Sequence, residues 1–261
     1  MAGVTGWAGG PVARAIAAAS DLDLVSGVSR SSAGRSLSET LDVESAGGAV
    51  FGSVEAALEA VRTDVLVDFT SAETVKENVI TAVQRGVHVV NGSSGLTADD
   101  YAEIERLATE HRVCVVAMAN ASIIAALLQR FAVEAAAQLP SWEIIDYASA
   151  TKIDVPSGTS RQLAERLGRV RPPAGPRPVD ELIGPPEARG ARIAGSQIHS
   201  LRLPSYSVST EVIFAQAGER LMIRHEAGES PEPYVGGALL AIRSVVHRTG
   251  LVPSLDSLLF P

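Results

Sequence analysis

The residues best suited to chemistry lie in the segment Lys152 to Thr159, where a lysine precedes the start of a helical pattern. Lys152 is followed closely by the run Pro156-Ser157-Gly158-Thr159. Amides in the first turn of a helix lack partners and carry positive partial charge, so a carboxylate or a phosphate could bind there beneath Lys152. Ser157 and Thr159 could instead simply cap the helix, with Lys152 in solvent.

A second candidate site is a glycine-rich turn at the start of the chain. It leads into a helical pattern from Gly10 to Ala19, and a strand pattern follows from Leu24 to Val28. Glycines at this spacing permit a tight turn that places a pyrophosphate against the positive end of a helix. A turn without a ligand is the alternative, but the downstream strand favours a dinucleotide. The residues predicted to meet the cofactor here are Gly3, Gly6, Trp7, Ala8 and Gly9.

The end of the next strand predicts which dinucleotide binds. A protein specific for NADH usually carries an acidic residue there for the ribose hydroxyls, whereas this chain has Ser29 and Arg30. An arginine suits a 2'-phosphate, so we expect NADPH to be preferred over NADH. A solvated Arg30 in a loop is the alternative interpretation.

Three later strand ends should reach the same edge of a parallel sheet and so the same cofactor. Phe69 could pack on a nicotinamide ring, and the other polar or small residues could bond to the cofactor or admit it closely. Each of these turns could also only terminate a strand, and Ser122 could cap the next helix. The cofactor residues predicted here are Phe69, Thr70, Gly92, Ser94, Ala119 and Asn120.

The elements that position these residues change in character along the chain. Residues 1–120 alternate short apolar strand patterns with amphipathic helical ones, which predicts a doubly wound parallel sheet of the Rossmann type. The predicted strands are Leu24 to Val28, Ala49 to Phe51, Asp64 to Phe69, His88 to Asn91 and Val113 to Ala119. Only Met1 and Ala2 precede the glycine turn, so the first strand is minimal or the sequence begins inside a longer chain.

Residues 121–230 predict a second α+β domain with a mostly antiparallel sheet. Its strand patterns are Trp142 to Ala148, His199 to Pro204, Glu211 to Gln216 and Arg220 to His225, and the proline-rich segment Arg169 to Gly190 is predicted to be an irregular loop. A last helix, Tyr234 to His247, should pack back on the first domain. Residues 1–120 and 231–261 therefore form the predicted dinucleotide domain.

Composition narrows the classes of partner. The chain has 30 acidic and 22 basic residues, a net charge of -8, and its Lys and Arg residues are scattered. Nucleic acid and anionic membranes require a basic face, so neither is an expected partner. Neither an 18-residue apolar run nor a signal peptide is evident, so we expect a cytoplasmic protein. No metal site is expected, and the single Cys114 lies in an apolar run typical of a buried thiol.

Taken in order, these motifs resemble those of dihydrodipicolinate reductases over essentially the whole chain. The motifs are the glycine turn at Gly3 to Gly9, Val67-Asp68-Phe69-Thr70, Gly92-Ser93-Ser94-Gly95, Ala119-Asn120-Ala121-Ser122, Lys152 to Thr159 and Gly218 to His225. The resemblance implies a Rossmann domain for NADH or NADPH and a second domain that holds a cyclic imine dicarboxylate and builds a homotetramer. It also implies that Ser157, Gly158 and Thr159 bind a substrate carboxylate and that Lys152 binds or protonates near the imine.

The chain departs from the family just before Lys152. Family members carry an acidic residue, one intervening residue and then two adjacent histidines, whereas here the run is Asp146-Tyr147-Ala148-Ser149. A further family histidine is replaced by Thr210. Neither Ala148 nor the hydroxyl of Ser149 titrates near neutral pH, so the general acid of the family is missing.

We therefore expect a reductase with an altered substrate, a small unsaturated carboxylate. Lys152 is the predicted proton donor, Ser149 is a further substrate contact, and Tyr147, Ser149 or Tyr206 could relay protons. One alternative is the unmodified family reaction, 4-hydroxy-tetrahydrodipicolinate reduction in lysine biosynthesis. Others are a protein that only binds NADPH, and non-redox chemistry with the nucleotide as a structural group.

Overall fold

The chain folds into two compact units, seen in a computed structural model that describes residues 1–44, 46–118, 120–174 and 177–260. Unit 1 comprises Met1–Ile123 and Pro231–Pro261, and unit 2 comprises Ile124–Ser230. Unit 2 is thus inserted between the two segments of unit 1. Within the described residues, no helix is both long enough and apolar enough to span a membrane.

The described residues form short strands and mostly longer helices. The strands are β1 Ser26–Val28, β2 Ala49–Phe51, β3 Val65–Asp68, β4 His88–Asn91, β5 Cys114–Ala117, β6 Ser141–Ala148, β7 Ala191–Ile193, β8 Ser196–Arg202, β9 Val208–Gln216, β10 Glu219–Ala227 and β11 Gly250–Val252. The α-helices are α1 Gly9–Ala18, α2 Leu37–Leu41, α3 Val54–Ala60, α4 Val75–Gln84, α5 Ala98–Glu110, α6 Ile123–Gln138, α7 Gly158–Val170, α8 Pro233–Val245 and α9 Asp256–Leu259.

The strands of unit 1 are parallel, as the sequence predicted. One sheet has the order β11-β5-β4-β3, and β1 pairs with β2. Ala2 joins the two groups, because it forms parallel bridges to both Val28 and Asp68. Its amide donates to the Val67 carbonyl at 2.8 Å, and its carbonyl accepts from the Phe69 amide at 3.1 Å. The doubly wound plan is confirmed, with the strand position between β1 and β3 filled by a single bridging residue.

Burial explains why these strands are continuous apolar runs. Val89 on β4 and Val115 on β5 are fully buried, as are Val79 and Ala82 on α4. A strand between two neighbours with helices over the sheet has no solvent-facing side, so it needs apolar residues at successive positions. The hydrophobic core of unit 1 therefore fixes the carboxyl ends of β3, β4 and β5 along one edge.

Unit 2 has a five-stranded sheet of order β10-β9-β6-β8-β7. Only the β6–β8 pair is parallel, and the other three pairs are antiparallel. Trp142, Ile144 and Phe214 on one face of the sheet form a core with Leu128 of α6 and Leu163 of α7. The prediction of a mostly antiparallel sheet is confirmed, and the packing of α7 places its amino terminus beside the end of β6.

The sequence-based boundaries fail in a few short elements. β7, β11 and α2 carry too few residues to show a period and were not predicted. The prediction of an irregular loop over Arg169 to Gly190 is wrong in part, because α7 runs to Val170 and 3₁₀ turns form at Val179–Glu181 and Pro186–Arg189. Prolines favour the start of a helical turn, so proline-rich sequence does not exclude short helices.

Candidate functional site

The glycine turn of unit 1 has the steric requirements expected of a dinucleotide turn. Gly3 has φ of 76°, and a Cβ atom there would lie 2.2 Å from the Phe69 carbonyl oxygen. A Cβ atom on Gly9 would lie 2.0 Å from the Gly3 carbonyl oxygen. The first glycine thus permits the turn and the third lets α1 approach it closely, while the Gly6 amide donates to the Gly3 carbonyl at 2.9 Å.

The start of α1 lacks the side-chain cap that α2, α3 and α5 have, and α8 of the same unit likewise has neither a side-chain cap nor an acid in its first turn. Ala8 precedes α1 and caps nothing, and no acidic residue lies in the first turn. Ser36, Ser53 and Thr97, in contrast, cap α2, α3 and α5 with their side chains. A helix start without its own cap or acid is suited to an external anion.

A cleft of about 510 Å³ adjoins this turn and collects residues that are far apart in the sequence. Ser29 lies in it with its hydroxyl 2.9 Å from that of Thr5, and Arg30 is exposed at the same cleft. Six of the predicted cofactor residues line this cleft: Gly3, Gly6, Ser29, Arg30, Phe69 and Thr70. The uncapped helix, the close-packed glycines and the volume of the cleft fit a nicotinamide dinucleotide.

Phe69 and Gly92 lie against each other, although 23 positions separate them. A Cβ atom on Gly92 would lie 2.4 Å from the Phe69 ring, so a larger residue at position 92 would displace that ring. Ser94 of the same turn is exposed to solvent. The ends of β3 and β4 thus meet as predicted.

Thr70 is fixed by the buried carboxylate of Asp68, a residue of the same motif for which no role was predicted. The hydroxyl of Thr70 donates to Asp68 Oδ1 at 2.7 Å, and its amide donates to the same oxygen at 3.0 Å. Ser93 donates to Asp68 Oδ1 at 2.7 Å, and Asn78 donates to Asp68 Oδ2 at 2.8 Å. The Thr70 hydroxyl thus donates its proton to Asp68, and its oxygen accepts from the Thr74 hydroxyl at 3.1 Å and from the Asn78 side-chain amide at 3.4 Å. Asn78 lies on α4, and the motif pattern gave no signal for it.

Two further predicted cofactor residues, Trp7 and Asn120, do not line this cleft. Trp7 is 60% exposed and its ring stacks edge-to-face on Tyr234, with 5.8 Å between centroids. The Asn120 side-chain oxygen accepts from the Ser122 amide at 2.8 Å, which is a turn contact. Ala119 lies outside the described residues, so its predicted role stays a prediction.

In unit 2, Asp146 at the end of β6 fixes the start of α7. Asp146 is fully buried and accepts from the Ser157 hydroxyl at 2.6 Å and from the Ser157 amide at 3.0 Å. Ser160 and Ser200 donate to it at 3.0 and 3.2 Å, and Arg202 donates at 2.8 Å. Burial alone would raise the pKa of Asp146, but these hydrogen bonds, first that of Ser157 and then that of Arg202, hold it below its ordinary value.

This arrangement changes the interpretation of Ser157. Ser157 is the N-cap of α7, since its hydroxyl accepts from the Ser160 amide. Its hydroxyl and its backbone amide both donate hydrogen bonds to the Asp146 carboxylate, and the side chain is buried. The structure thus shows Ser157 as a cap and an anchor, and its direct contact with a substrate stays a prediction. Thr159, proposed as an alternative cap, lies inside the first turn.

Gly158 is open to solvent at the amino terminus of α7. A Cβ atom there would meet no protein atom within 4 Å, and its φ lies outside the left-handed region. Neither packing nor backbone conformation within the described chain requires a glycine at this position. The missing side chain leaves space above the first-turn amides, as a ligand that approaches the backbone would need.

Lys152 is paired with an acid from its own loop. Lys152 Nζ lies 2.7 Å from Asp154 Oδ1, and the two side chains are 30% and 46% exposed. The Lys152 amide donates to the Ser149 carbonyl at 3.0 Å, and the Ser149 hydroxyl lies 2.8 Å from that of Thr151. The predicted lysine and serine thus lie in one turn, and the partner Asp154 was not predicted.

The residues at and beside the positions of the missing histidines are either apolar or hydrogen-bonded to other residues of the chain. Ala148 is fully buried, and Thr210 lies 3.1 Å from the Ser160 hydroxyl, oxygen to oxygen. The Tyr147 hydroxyl donates to Glu211 at 2.8 Å, and burial together with this carboxylate raises the pKa of Tyr147 to about 12. Tyr147 therefore keeps its proton at neutral pH and holds it toward Glu211.

Of the histidines, His225 lies beside these positions, because it pairs directly with Thr210 across β9 and β10. His225 is buried on β10, and burial lowers its pKa. His199 lies 2.7 Å from Glu143, and His88 accepts from the Cys114 amide at 3.0 Å. Among the residues that the structure describes, no three acidic, histidine or cysteine side chains form a cluster that could hold a metal ion.

Comparisons with known proteins agree on one family. The family model described as dihydrodipicolinate reductase, N-terminus, matches residues 1–121, and that described as dihydrodipicolinate reductase, C-terminus, matches residues 124–259. Together the two models cover both units.

Individual relatives match over nearly the full length. A 4-hydroxy-tetrahydrodipicolinate reductase of Syntrophomonas wolfei subsp. wolfei is 34% identical over 99% of this chain and 97% of its own. One from Desulfitobacterium hafniense is 36% identical over the same shares of the two chains. The solved structure of a dipicolinate-bound dihydrodipicolinate reductase from Paenisporosarcina sp. TG-14 has a TM-score of 0.84 and 28% identity, covering 98% of this chain and 96% of that one.

Proposed function

The chain belongs to the dihydrodipicolinate reductase family, and on that premise we propose that it is an NADPH-preferring reductase of a small unsaturated carboxylate. Enzymes of this family use a nicotinamide cofactor. The observation that carries the proposal is the cleft of unit 1, in which six predicted cofactor residues meet beside an uncapped helix. When bound, the cofactor would supply the hydride for the reduction.

The residues of unit 1 would hold that cofactor. The amino terminus of α1 offers its positive end to the pyrophosphate, and Gly3 and Gly9 keep the backbone close to it. Arg30, exposed at the same cleft, is suited to a ribose 2'-phosphate by charge and by its fork of donors. Phe69, seated on Gly92, offers an apolar face to the nicotinamide ring.

The residues of unit 2 would bind and protonate the substrate. The exposed amide of Gly158 and the ammonium of Lys152 bind its carboxylate, while Thr159 lies in the same turn. Reduction of a C=N or conjugated C=C bond places negative charge on the substrate, which a nearby cation stabilises until a proton arrives. Lys152 is the proposed donor of that proton.

Two substrates compete within this proposal. The buried Ala148 and the committed hydroxyls of Ser149 and Tyr147 favour an altered substrate, since none of them replaces an imidazole as general acid. The names of the full-length relatives favour the unmodified reduction of 4-hydroxy-tetrahydrodipicolinate. Loss of a general acid typically costs about 10²- to 10⁴-fold in rate, so that reaction would be slow here.

Steady-state oxidation of NADPH, followed by absorbance, tests the proposal. The purified protein is assayed with 4-hydroxy-tetrahydrodipicolinate and with a panel of cyclic imino acids and unsaturated carboxylates. A panel member turned over faster than 4-hydroxy-tetrahydrodipicolinate supports an altered substrate, and the reverse order supports the unmodified reaction. Tight NADPH binding without oxidation by any substrate contradicts a reductase and indicates a protein that only binds the nucleotide.

The Lys152→Met variant tests the proton donor in the same assay. Its turnover should fall with the best substrate, while its affinity for NADPH stays that of the wild-type protein. Unchanged turnover would exclude Lys152 as the donor. The family resemblance also leads us to propose a homotetramer, which light scattering of the purified protein would check.

A further inference from the structure

The groups proposed to bind the substrate carboxylate already hold a carboxylate of the chain. Asp154 Oδ1 lies 2.7 Å from Lys152 Nζ. Partial burial alone would raise the pKa of Asp154, but the Lys152 ammonium and the backbone amides of Asp154 and Gly158 lower it below its ordinary value. The same cation and the same helix amide therefore stabilise Asp154 in its ionised form.

We propose that Asp154 is an internal competitor that occupies the carboxylate site of unit 2 until a substrate carboxylate displaces it. This inference rests on the proposed function, in which Lys152 and the α7 amino terminus bind that carboxylate. A substrate carboxylate and the Asp154 side chain present the same two oxygens to the same donors. Two carboxylates at one cation repel each other, so binding of one favours departure of the other.

The loop around Asp154 allows its side chain to leave while its backbone stays in place. Arg202, which is anchored on Asp146, also donates to the Asp154 carbonyl at 2.7 Å. The neighbouring side chains of Ile153 and Val155 are 97% and 58% exposed, so packing does not hold them. A change of the Asp154 side-chain rotamer therefore suffices to free Lys152, without movement of the backbone.

The strength of the competition is modest. Ion pairs between partly exposed side chains are worth roughly 0.2–1 kcal/mol, which corresponds to a factor of about 1.4 to 5 in affinity. The site can bind a carboxylate ligand only while Asp154 is not paired with Lys152. The apparent affinity is therefore reduced in proportion to the fraction of molecules in which the pair is formed. The site would fill only at a ligand concentration that outcompetes this pair.

Equilibrium binding of dipicolinate, measured by calorimetry at low ionic strength, tests the proposal. We compare the wild-type protein with Asp154→Asn, which removes the charge and keeps the shape. The matched control is Glu165→Gln, which removes one negative charge from the exposed face of α7. Asp154→Asn should bind dipicolinate about 1.4- to 5-fold more tightly than the control. Equal or weaker binding by Asp154→Asn would overturn the proposal.

The Lys152→Met variant separates this inference from the proposed function. If Lys152→Met binds dipicolinate more weakly while Asp154→Asn binds it as the wild-type protein does, the proposed competition by Asp154 is wrong and the proposed carboxylate site is supported. If the wild-type protein and Lys152→Met bind dipicolinate equally, or neither binds it, the carboxylate site itself fails and the inference fails with it. Urea unfolding of each variant verifies that an altered affinity does not reflect loss of the fold.

Discussion

Asp146 shows how a single side chain organises the candidate substrate site. Its carboxylate accepts from the amide and hydroxyl of Ser157, from two further serines and from Arg202. A buried carboxylate is stable only when its charge is paired and its lone pairs are satisfied, and this one meets both conditions. The position of the α7 amino terminus therefore depends on Asp146 more directly than on the loop that joins them.

The Asp146→Asn substitution should lower the free energy of unfolding by about 3 kcal/mol, because it removes a fully buried carboxylate that five donors contact and leaves Arg202, whose side chain is 15% exposed, without its counter-ion. Urea unfolding at neutral pH measures this loss. Ser200→Ala is the control, since it removes a single 3.2 Å hydrogen bond, worth about 1 kcal/mol. Equal losses in the two variants would contradict the central role of Asp146.

The same carboxylate predicts a pH dependence. Its pKa in the folded chain lies below the value of about 3.9 expected in the unfolded chain. The stabilisation is therefore complete above pH of about 4 and is lost as the pH falls through the lower folded value. Urea midpoints measured over this range should fall less steeply for Asp146→Asn than for the wild-type protein.

Arg30 carries the predicted preference for NADPH. The Arg30→Ala substitution should weaken NADPH binding about 10- to 100-fold, the worth of hydrogen bonds to a charged group, and should leave NADH binding nearly unchanged. Fluorescence titration with each cofactor measures both constants. Arg35→Ala is the control, because Arg35 is exposed nearby but does not line the cleft. A similar loss for both cofactors would assign Arg30 a general role in binding.

At the residue level, the sequence predicted features that follow from backbone geometry. It did not predict which side chains form hydrogen bonds or ion pairs with each other. The requirement for glycine at positions 3 and 9 follows from turn geometry that the spacing reveals. Nothing in the local sequence states that Asp154 pairs with Lys152, or that Ser157 turns its proton to Asp146. Those contacts depend on how β6, β8 and α7 pack.

At the scale of elements, the contact between α1 and the glycine turn is the tightest requirement of the cofactor cleft. Gly9→Ala would place a Cβ atom 2.0 Å from the Gly3 carbonyl oxygen and so push α1 away from the turn. We expect a loss of about 1–3 kcal/mol in the free energy of unfolding, as for overpacked cores, together with weaker NADPH binding. Urea unfolding and cofactor titration measure the two effects.

The next residue of the same helix supplies the control. A Cβ atom on Gly10 would meet Arg14 Nη1 at 3.4 Å and the Val4 carbonyl oxygen at 3.6 Å, which are ordinary contacts. Alanine has the higher helix propensity by about 1 kcal/mol, so Gly10→Ala should be neutral or stabilising and should retain NADPH binding. Similar losses in the two variants would show that close packing at Gly9 is not the reason for its glycine.

Elements with a clear period were predictable, and so were the three-residue strands β1 and β2, but the three-residue strands β7 and β11 were not. Strands such as β4 and β5 stand out because burial on both faces requires successive apolar residues. β11 completes the same sheet beside β5, but its three residues Gly250–Val252 show no pattern of their own. Its position depends on contacts with residues far away in the sequence, since the Leu251 amide donates to Glu105 of α5 and the Gly250 amide donates to the Val113 carbonyl at 2.9 Å.

At the scale of the whole molecule, unit 1 is built from two segments that are distant in the sequence. β11, from the second segment, pairs with β5 of the first, and α8 packs on α1. A cofactor bound to the cleft of unit 1 raises the free energy of every opening that destroys the cleft. NADPH should therefore slow hydrogen exchange in both segments of unit 1, although unit 2 separates them in the sequence.

Hydrogen exchange read by mass spectrometry tests this expectation. At about 100 times its dissociation constant, NADPH adds about 2.7 kcal/mol against openings that release it, which slows exchange through them about 100-fold. We expect slower exchange in α1, in β5 and in β11 of the second segment, with no change at the α7 amino terminus of unit 2. Dipicolinate should give the opposite pattern, with protection near Gly158. Protection by NADPH that stopped at the first segment would mean that β11 opens independently of the sheet it completes, and that the two segments are not one cooperative unit.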